Sequence, residues 1–341
     1  MTGIAKGPTV VTLTPAPVLD RTYFVHDLIP GGVNRADGVG EELAGKGINV
    51  SRGLSLANIN APAVVPVGKG DPAVIARTGS EHFVKPLWVE GTLRVSTTII
   101  EHHGTTTRIT EPPRPLTAED WAAVIDLTEQ TVIENDAKWL VVAGAHPVDK
   151  YTGEFIDMTP LFDRMDKLGV RVAMDTSGKP LITWAQSGRP AIIKPNAEEL
   201  ASAVGRTLNT VGDVLDAATE LCEHGIEAVL ASMGSDGIIA VTRGGAIGAR
   251  TDKVKVSNTV GAGDATLAGF LSYVSTHPLA EGQEVQGVGF DVVNGIQMAV
   301  RWGAHKVQQP TSGLENIDNL PASFLLESID RDKPLDEPAE A

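Results

Sequence analysis

Residues 256–271, VSNTVGAGDATLAGFL, put a single carboxylate, Asp264, after a small glycine-rich loop and before an apolar run. If the run is a helix, its first-turn amides lack intrahelical acceptors and carry partial positive charge, so they hold an anion. Gly261, Ala262 and Gly263 are small enough to let a phosphoryl group approach the backbone closely. Asp264 would then take a proton from an attacking hydroxyl. A plainer alternative is a tight turn into a helix with an acidic first-turn residue. The stretch alone leaves both open.

Other segments add complementary chemistry. IIKPNAEEL, residues 192–200, ends an apolar run with Lys194, Asn196 and Glu199. A lysine there can pair with phosphate, and Asn and Glu three apart can organise a hydrated Mg²⁺; a loop before an acidic helix start is the alternative. ASMGSDG, residues 231–237, offers Ser232, Gly234 and Gly237 as a turn small enough to pass close to adenine or ribose, or as an ordinary hairpin turn. Near the start, LTPAPVLD places Asp20 after the first strand pattern. ELAGKGINVSRGL supplies Gly45, Lys46 and Asn49, suited to sugar hydroxyls and an anionic group.

Composition narrows the partners. A net charge of −15 over 341 residues argues against a nucleic-acid or anionic-membrane surface, yet permits a local cationic pocket for a small anion. There is no GxxxxGK[ST] and no strand-linked GxGxxG, which excludes a P-loop and weakens a dinucleotide fold. The single cysteine, Cys222, lies in a helical pattern and reads as a buried structural thiol in a reducing compartment. No leader-like or membrane-length apolar segment is evident, so a cytoplasmic location is expected.

The elements that must position these residues alternate. LTAEDWAAVIDLTEQTVIEN opens with Thr117 and Asp120 spaced as a capping box, and leads into WLVVAGA, a buried-strand run. TPLFDRMDKLG offers Thr159 as N-cap, Pro160 at the first helical position and Gly169 as the stop. VRVAMDTSG and AIIKPN read as strands, and TVGDVLDAATELCEHG as a capped helix feeding AVLASMG. The repetition predicts an α/β fold with a mostly parallel central sheet between helices. Residues 18–40 and 91–112 break the rhythm with β-branched residues and turns, including a hairpin at His103-Gly104. They predict a small β-sheet lid over one edge. The acidic, proline-bearing residues 322–341 read as a solvated extension.

In order, PVLD, GKGINVSR, a lid, KPNAEE, the Ser232-x-Gly-x-x-Gly turn and NTVGAGD resemble the ribokinase-like (PfkB-type) carbohydrate kinases over residues 9–315. TPAPVLDRTY, GGVNRADGV, GTTTRITEP and MDTSGKP are similar to the branch with 1-phosphofructokinases and tagatose-6-phosphate kinases. The resemblance implies a single ribokinase-like domain whose lid pairs with that of a second copy. It implies that Asp264 is the base and residues 261–263 the anion hole. Lys194, Asn196 and Glu199 would serve ATP phosphates and Mg²⁺, with Ser232, Gly234, Gly237 and Thr259 along the nucleotide. Asp20, Gly45, Lys46 and Asn49 would hold the sugar, and Arg94 and Arg108 its anionic end.

The departures fall on the sugar side. AGAHP, residues 143–147, lacks the two serines common in the branch and introduces His146; Ala44-Gly45 replaces a double glycine, and Ala16 a frequent Asn. The expected reaction is fructose 1-phosphate to fructose 1,6-bisphosphate. Rivals are a kinase of fructose 6-phosphate, tagatose 6-phosphate or a sulfonated ketose, and a nucleotide-binding regulator without turnover.

Overall fold

In the computed structural model, which describes residue 7, residues 9–311 and residues 313–339, one ten-stranded sheet organises the chain. Its order is Ser323–Leu325, Gly245–Thr251, Ile238–Thr242, Ala228–Ser232, Ile192–Ile193, Arg171–Asp175, Trp139–Ala143, Val10–Leu13, Ala63–Gly68 and Val84–Val89. From Ala228–Ser232 to Val84–Val89 every neighbouring pair is parallel. The strands before that point are antiparallel.

The central strands are mostly apolar because both faces are covered, and their side chains alternate between two cores. Val11, Leu13, Leu140 and Val142 pack with helices that include Ala118–Asn135, Thr159–Leu168 and Val211–Glu223. Val10, Trp139, Val141 and Ala143 pack on the other face with helices Lys46–Leu56, Ala262–Thr276 and Val292–Lys306.

Local signals fix where helices begin. Thr117 and Asp120 cap each other's backbone, as do Thr210 and Asp213, and Asn196 and Glu199; one such cap contributes about 1 kcal/mol. The Thr159–Leu168 helix starts one residue earlier than its sequence suggests. Met158 is the N-cap, and Asp157 Oδ1 accepts the Thr159 amide at 2.9 Å, so an Asp just upstream displaces Thr159 from the cap.

A four-stranded lid, in the order Gly38–Ala44, Val18–Val25, Arg94–Glu101 and Thr106–Thr110, stands apart from the main sheet. The last two strands form the expected hairpin, turning at Gly104 with φ 97°. Val18–Val25 and Arg94–Glu101 run parallel, joining the two lid segments.

The tail corrects the expectation for residues 322–341, of which 340 and 341 lie outside the described residues. Ser323–Leu325 extends the main sheet, and Pro334–Ala339 pairs antiparallel with Leu208–Thr210. Leu335 and Ala339 reach the core, so sparse apolar anchors outweigh an acidic composition. Among the described residues, no helix is long and apolar enough to cross a membrane.

Candidate functional site

The carboxyl ends of the parallel strands and the inner face of the lid enclose a cavity of about 450 Å³. Such crevices form where parallel strands end and helices begin. The first wall is glycine-dependent. Gly45 sits at φ 146°, and a Cβ there would lie 2.5 Å from Thr14 Cγ2. At Gly47 a Cβ would lie 2.6 Å from Thr14 Oγ1 and 2.9 Å from the Leu13 carbonyl oxygen. Without side chains at both, helix Lys46–Leu56 begins hard against the end of strand Val10–Leu13, bringing Lys46 and Asn49 into the cavity.

On the far wall, Gly261 at φ 81° starts helix Ala262–Thr276. Asp264 is buried in the first turn, and Asn49 Nδ2 donates to its Oδ2 at 2.8 Å. Burial and then the negative Asp175 push the Asp264 carboxyl up to about 6, against the Asn49 hydrogen bond and the positive Lys46 and Lys194. A Cβ at Gly263 would meet Lys194 Nζ at 3.1 Å, so the glycine keeps the loop open to the ammonium.

Between the walls stands Asp175, at the end of strand Arg171–Asp175 and 1% exposed. Its Oδ1 accepts from Lys46 Nζ at 2.8 Å, and Lys194 Nζ lies 3.2 Å from Oδ2. Burial would raise this carboxyl, but Lys194 and then Lys46 outweigh it and hold the group below its ordinary value. Lys46 is in turn held protonated against burial by Asp175, Glu199 and Asp264. Glu199 has one oxygen, Oε2, on the Asn196 amide at 3.0 Å, while Oε1 lies 3.9 Å from Lys46 Nζ.

The lid supplies the remaining wall. Register pairs Asp20 with Ser96 and Ser96 with Thr110, on the face that turns to the cavity. Burial raises the Asp20 carboxyl, with Arg108, Ser96 and Arg94 opposing it. Arg94 donates to the backbone carbonyls of Ala16, Pro17 and Glu111, which ties the lid to the strand connection. Arg108 contacts only Thr98 Oγ1, at 3.4 Å, among the described hydrogen bonds, so its guanidinium remains available.

The cavity wall therefore gathers Asp20, Gly45, Lys46, Asn49, Arg94 and Arg108 with Lys194, Asn196, Glu199, Ser232, Gly261, Gly263 and Asp264. It does not include Ala262, Thr259, Gly234 or Gly237. The Thr259 carbonyl accepts the Ala262 amide at 3.2 Å, making the turn into the helix. Gly234 opens a 3₁₀ turn, and Gly237 at φ 91° passes so close to the Ala249 carbonyl oxygen that a Cβ would lie 2.2 Å from it. That segment is the turn of the hairpin between Ala228–Ser232 and Ile238–Thr242. His146 also stands outside the wall, buried, with Nδ1 3.1 Å from Thr176 Oγ1. Burial drives its pKa down to about 4, so it is neutral and packed in its loop. Sequence reasoning missed Asp175, whose signal is an acid closing an apolar strand.

The profile of the pfkB family carbohydrate kinases matches residues 16–318. A 1-phosphofructokinase of Haloferax volcanii is 32% identical over 268 residues, covering 77% of this chain and 83% of that protein. The ATP-dependent 6-phosphofructokinase isozyme 2 of Escherichia coli is 30% identical over 270 residues, covering 75% and 82%. Among solved structures, phosphofructokinase-2 from Escherichia coli in complex with potassium superposes with a TM-score of 0.79 at 24% identity, over 91% of this chain and 96% of that one. With a cavity that sets a buried carboxylate between a lysine-bearing and an arginine-bearing end, and with these matches, the chain belongs to the pfkB family of carbohydrate kinases.

Proposed function

We propose that the protein is an ATP-dependent phosphofructokinase-type sugar kinase whose favoured reaction converts fructose 1-phosphate to fructose 1,6-bisphosphate. The observation that carries this reading is the position of Asp264, raised to about 6 in a cavity bounded by Lys194 and the glycine loop on one side and Arg108 on the other. Asp264 accepts the proton of the sugar hydroxyl, the freed oxygen bonds to the γ-phosphorus of ATP, and the bond to the leaving ADP oxygen breaks. Asn49 holds the carboxylate in line with the hydroxyl. Lys194 and the amides of residues 261–263 hold the transferring phosphoryl oxygens, an arrangement effective because it is oriented before reaction. Asp175 binds the ammonium groups of Lys46 and Lys194, one on each carboxylate oxygen, and so orients both. Ser232 and the turn at Gly234 and Gly237, with Thr259, flank the nucleotide; Asp20, Gly45 and Lys46 orient the sugar, and Arg108 takes its phosphate.

Glu199, with Oε1 3.9 Å from Lys46 Nζ, and Asn196 both line the cavity, a hard-oxygen pair that fits Mg²⁺ through water. When bound, that ion neutralises phosphate charge. The whole described chain acts as one kinase domain, and the outer lid face, which exposes Val39 and Ile109, pairs with a second copy. Light scattering on Ile109→Asp tests the pairing; an unchanged mass would refute it.

A coupled assay for ADP release across fructose 1-phosphate, fructose 6-phosphate, tagatose 6-phosphate and a sulfonated ketose tests the reaction. The highest kcat/KM is expected on fructose 1-phosphate. ATP binding without turnover on any sugar would overturn the reading in favour of a regulator.

A further inference from the structure

Lys306 is fully buried at the last turn of helix Val292–Lys306, and the scheme above gives it no task. Burying an ammonium is costly, and an apolar side chain of similar volume often serves a fold better. What Lys306 touches is the back of the anion loop. Its Nζ donates to the Asn258 carbonyl at 3.3 Å. The same helix end moors that loop further. The Val307 carbonyl accepts the amides of Ser257 and Asn258, and the Pro310 carbonyl accepts Asn258 Nδ2 at 2.9 Å. Asn258 Oδ1 in turn accepts the Val260 amide at 2.9 Å, one residue before Gly261.

The two helices also meet without slack here. A Cβ at Gly303 would lie 2.4 Å from Thr266 Oγ1, so helix Ala262–Thr276 is pinned against the helix that carries Lys306. The acidic groups whose fields reach the ammonium are Glu315, in the following loop, and Asp264; burial still lowers its pKa.

We infer that Lys306 is a positioning residue for phosphoryl transfer: its ammonium fixes the Asn258 carbonyl, and with it the loop presenting the amides of residues 261–263. It also sets an ammonium behind those amides, where negative charge gathers on the transferring group. The spacing of buried Ala299, Gly303 and Lys306 puts this lysine on the apolar face of its helix, a signal visible in the sequence.

The test uses the full chain with Lys306→Met, which removes charge at similar volume, and Lys306→Gln, which keeps an N–H donor. For Lys306→Met, kcat should fall roughly 10- to 100-fold, with the sugar KM within about threefold and Tm equal to or above that of the wild type. A folded Lys306→Met with kcat within about twofold of wild type, or with a raised KM alone, overturns the inference, as does a folded Lys306→Gln no more active than Lys306→Met. So does failure of both to fold, since the lysine would then serve the fold. The inference rests on the kinase reading but fails separately. A wild type silent on every sugar phosphate overturns that reading, whereas an active wild type with equally active variants overturns only the role of Lys306.

Discussion

The two sides of the cavity are built differently. On the phosphoryl side, Asp264, Asp175 and Lys194 are each less than a tenth exposed and rise from strand ends and a helix start of the main sheet. On the sugar side, Asp20 and Arg108 come from a thin sheet whose outer face carries exposed Val39 and Ile109. Chemistry that depends on field and position needs the rigid side, where low dielectric strengthens every charge. Recognition tolerates the lid, which can move and change sequence with less damage to the fold.

The largest test of the comparison is Asp264→Asn. Turnover should fall on the order of 10²- to 10⁴-fold, with ATP affinity nearly unchanged by calorimetry. Folding should not suffer. With the folded pKa raised to about 6, above the ordinary aspartate value, the buried carboxylate destabilises the fold once pH rises past both values, on the order of 3 kcal/mol at neutral pH. The Asn variant should therefore match or exceed the wild-type Tm at pH 8. The same pKa sets an acid limb: kcat/KM of the wild type should fall about tenfold per pH unit below about 6, as the base is protonated. A limb near 4 would mean that Asp264 is solvated, and the contrast between rigid and open sides would dissolve.

Asp175→Asn comes next and acts on both fold and rate. It leaves Lys194 buried without its carboxylate and Lys46 half-exposed without its closest partner. Removing one member of a buried pair costs about 3–5 kcal/mol, less where a partner reaches water. A drop of several degrees in Tm together with reduced kcat is expected; an unchanged Tm would show that the pair is not structural.

How much of this was legible follows the same division. Helix starts at Thr117 and Thr210 were written locally, because a cap needs only residues three apart. The glycine loop and Lys194 were legible for the same reason. Asp175 was not, because its role depends on Lys46, 129 residues away in sequence, and on a strand register that pattern alone does not reveal. The tail was misjudged because Leu335 and Ala339 are too few to mark a strand until Leu208–Thr210 offers them an edge. Thr259, Gly234 and Gly237 were legible as turn residues, and they lie in the turns before helix Ala262–Thr276 and strand Ile238–Thr242.

The lid arginines sharpen the comparison at smaller amplitude. Arg108→Ala should raise the KM for the sugar phosphate about 10- to 100-fold with kcat little changed, since a lost charge-assisted contact to substrate is worth about 1.5–3 kcal/mol. Arg94→Ala should instead lower Tm as well, because three backbone carbonyls lose their donor. If the two variants behave alike, the assignment of one as ligand and the other as clip is wrong.

His146→Leu has the smallest expected effect and decides whether residues 143–147 touch the sugar. His146 is neutral in its buried setting, so it cannot attract a phosphate at neutral pH. Among the described residues its Nε2 has no hydrogen-bond partner, a cost that leucine would remove. Against that, leucine loses the contact between Nδ1 and Thr176 Oγ1 and leaves the buried hydroxyl without that partner. The two contributions are each about 1 kcal/mol and opposite in sign, so Tm should move by only a few degrees. Steady-state kinetics should give a sugar KM within about threefold of wild type. A tenfold rise confined to KM would mean that the loop reaches the substrate when the lid closes, and the sugar side would then extend beyond the lid onto the main sheet.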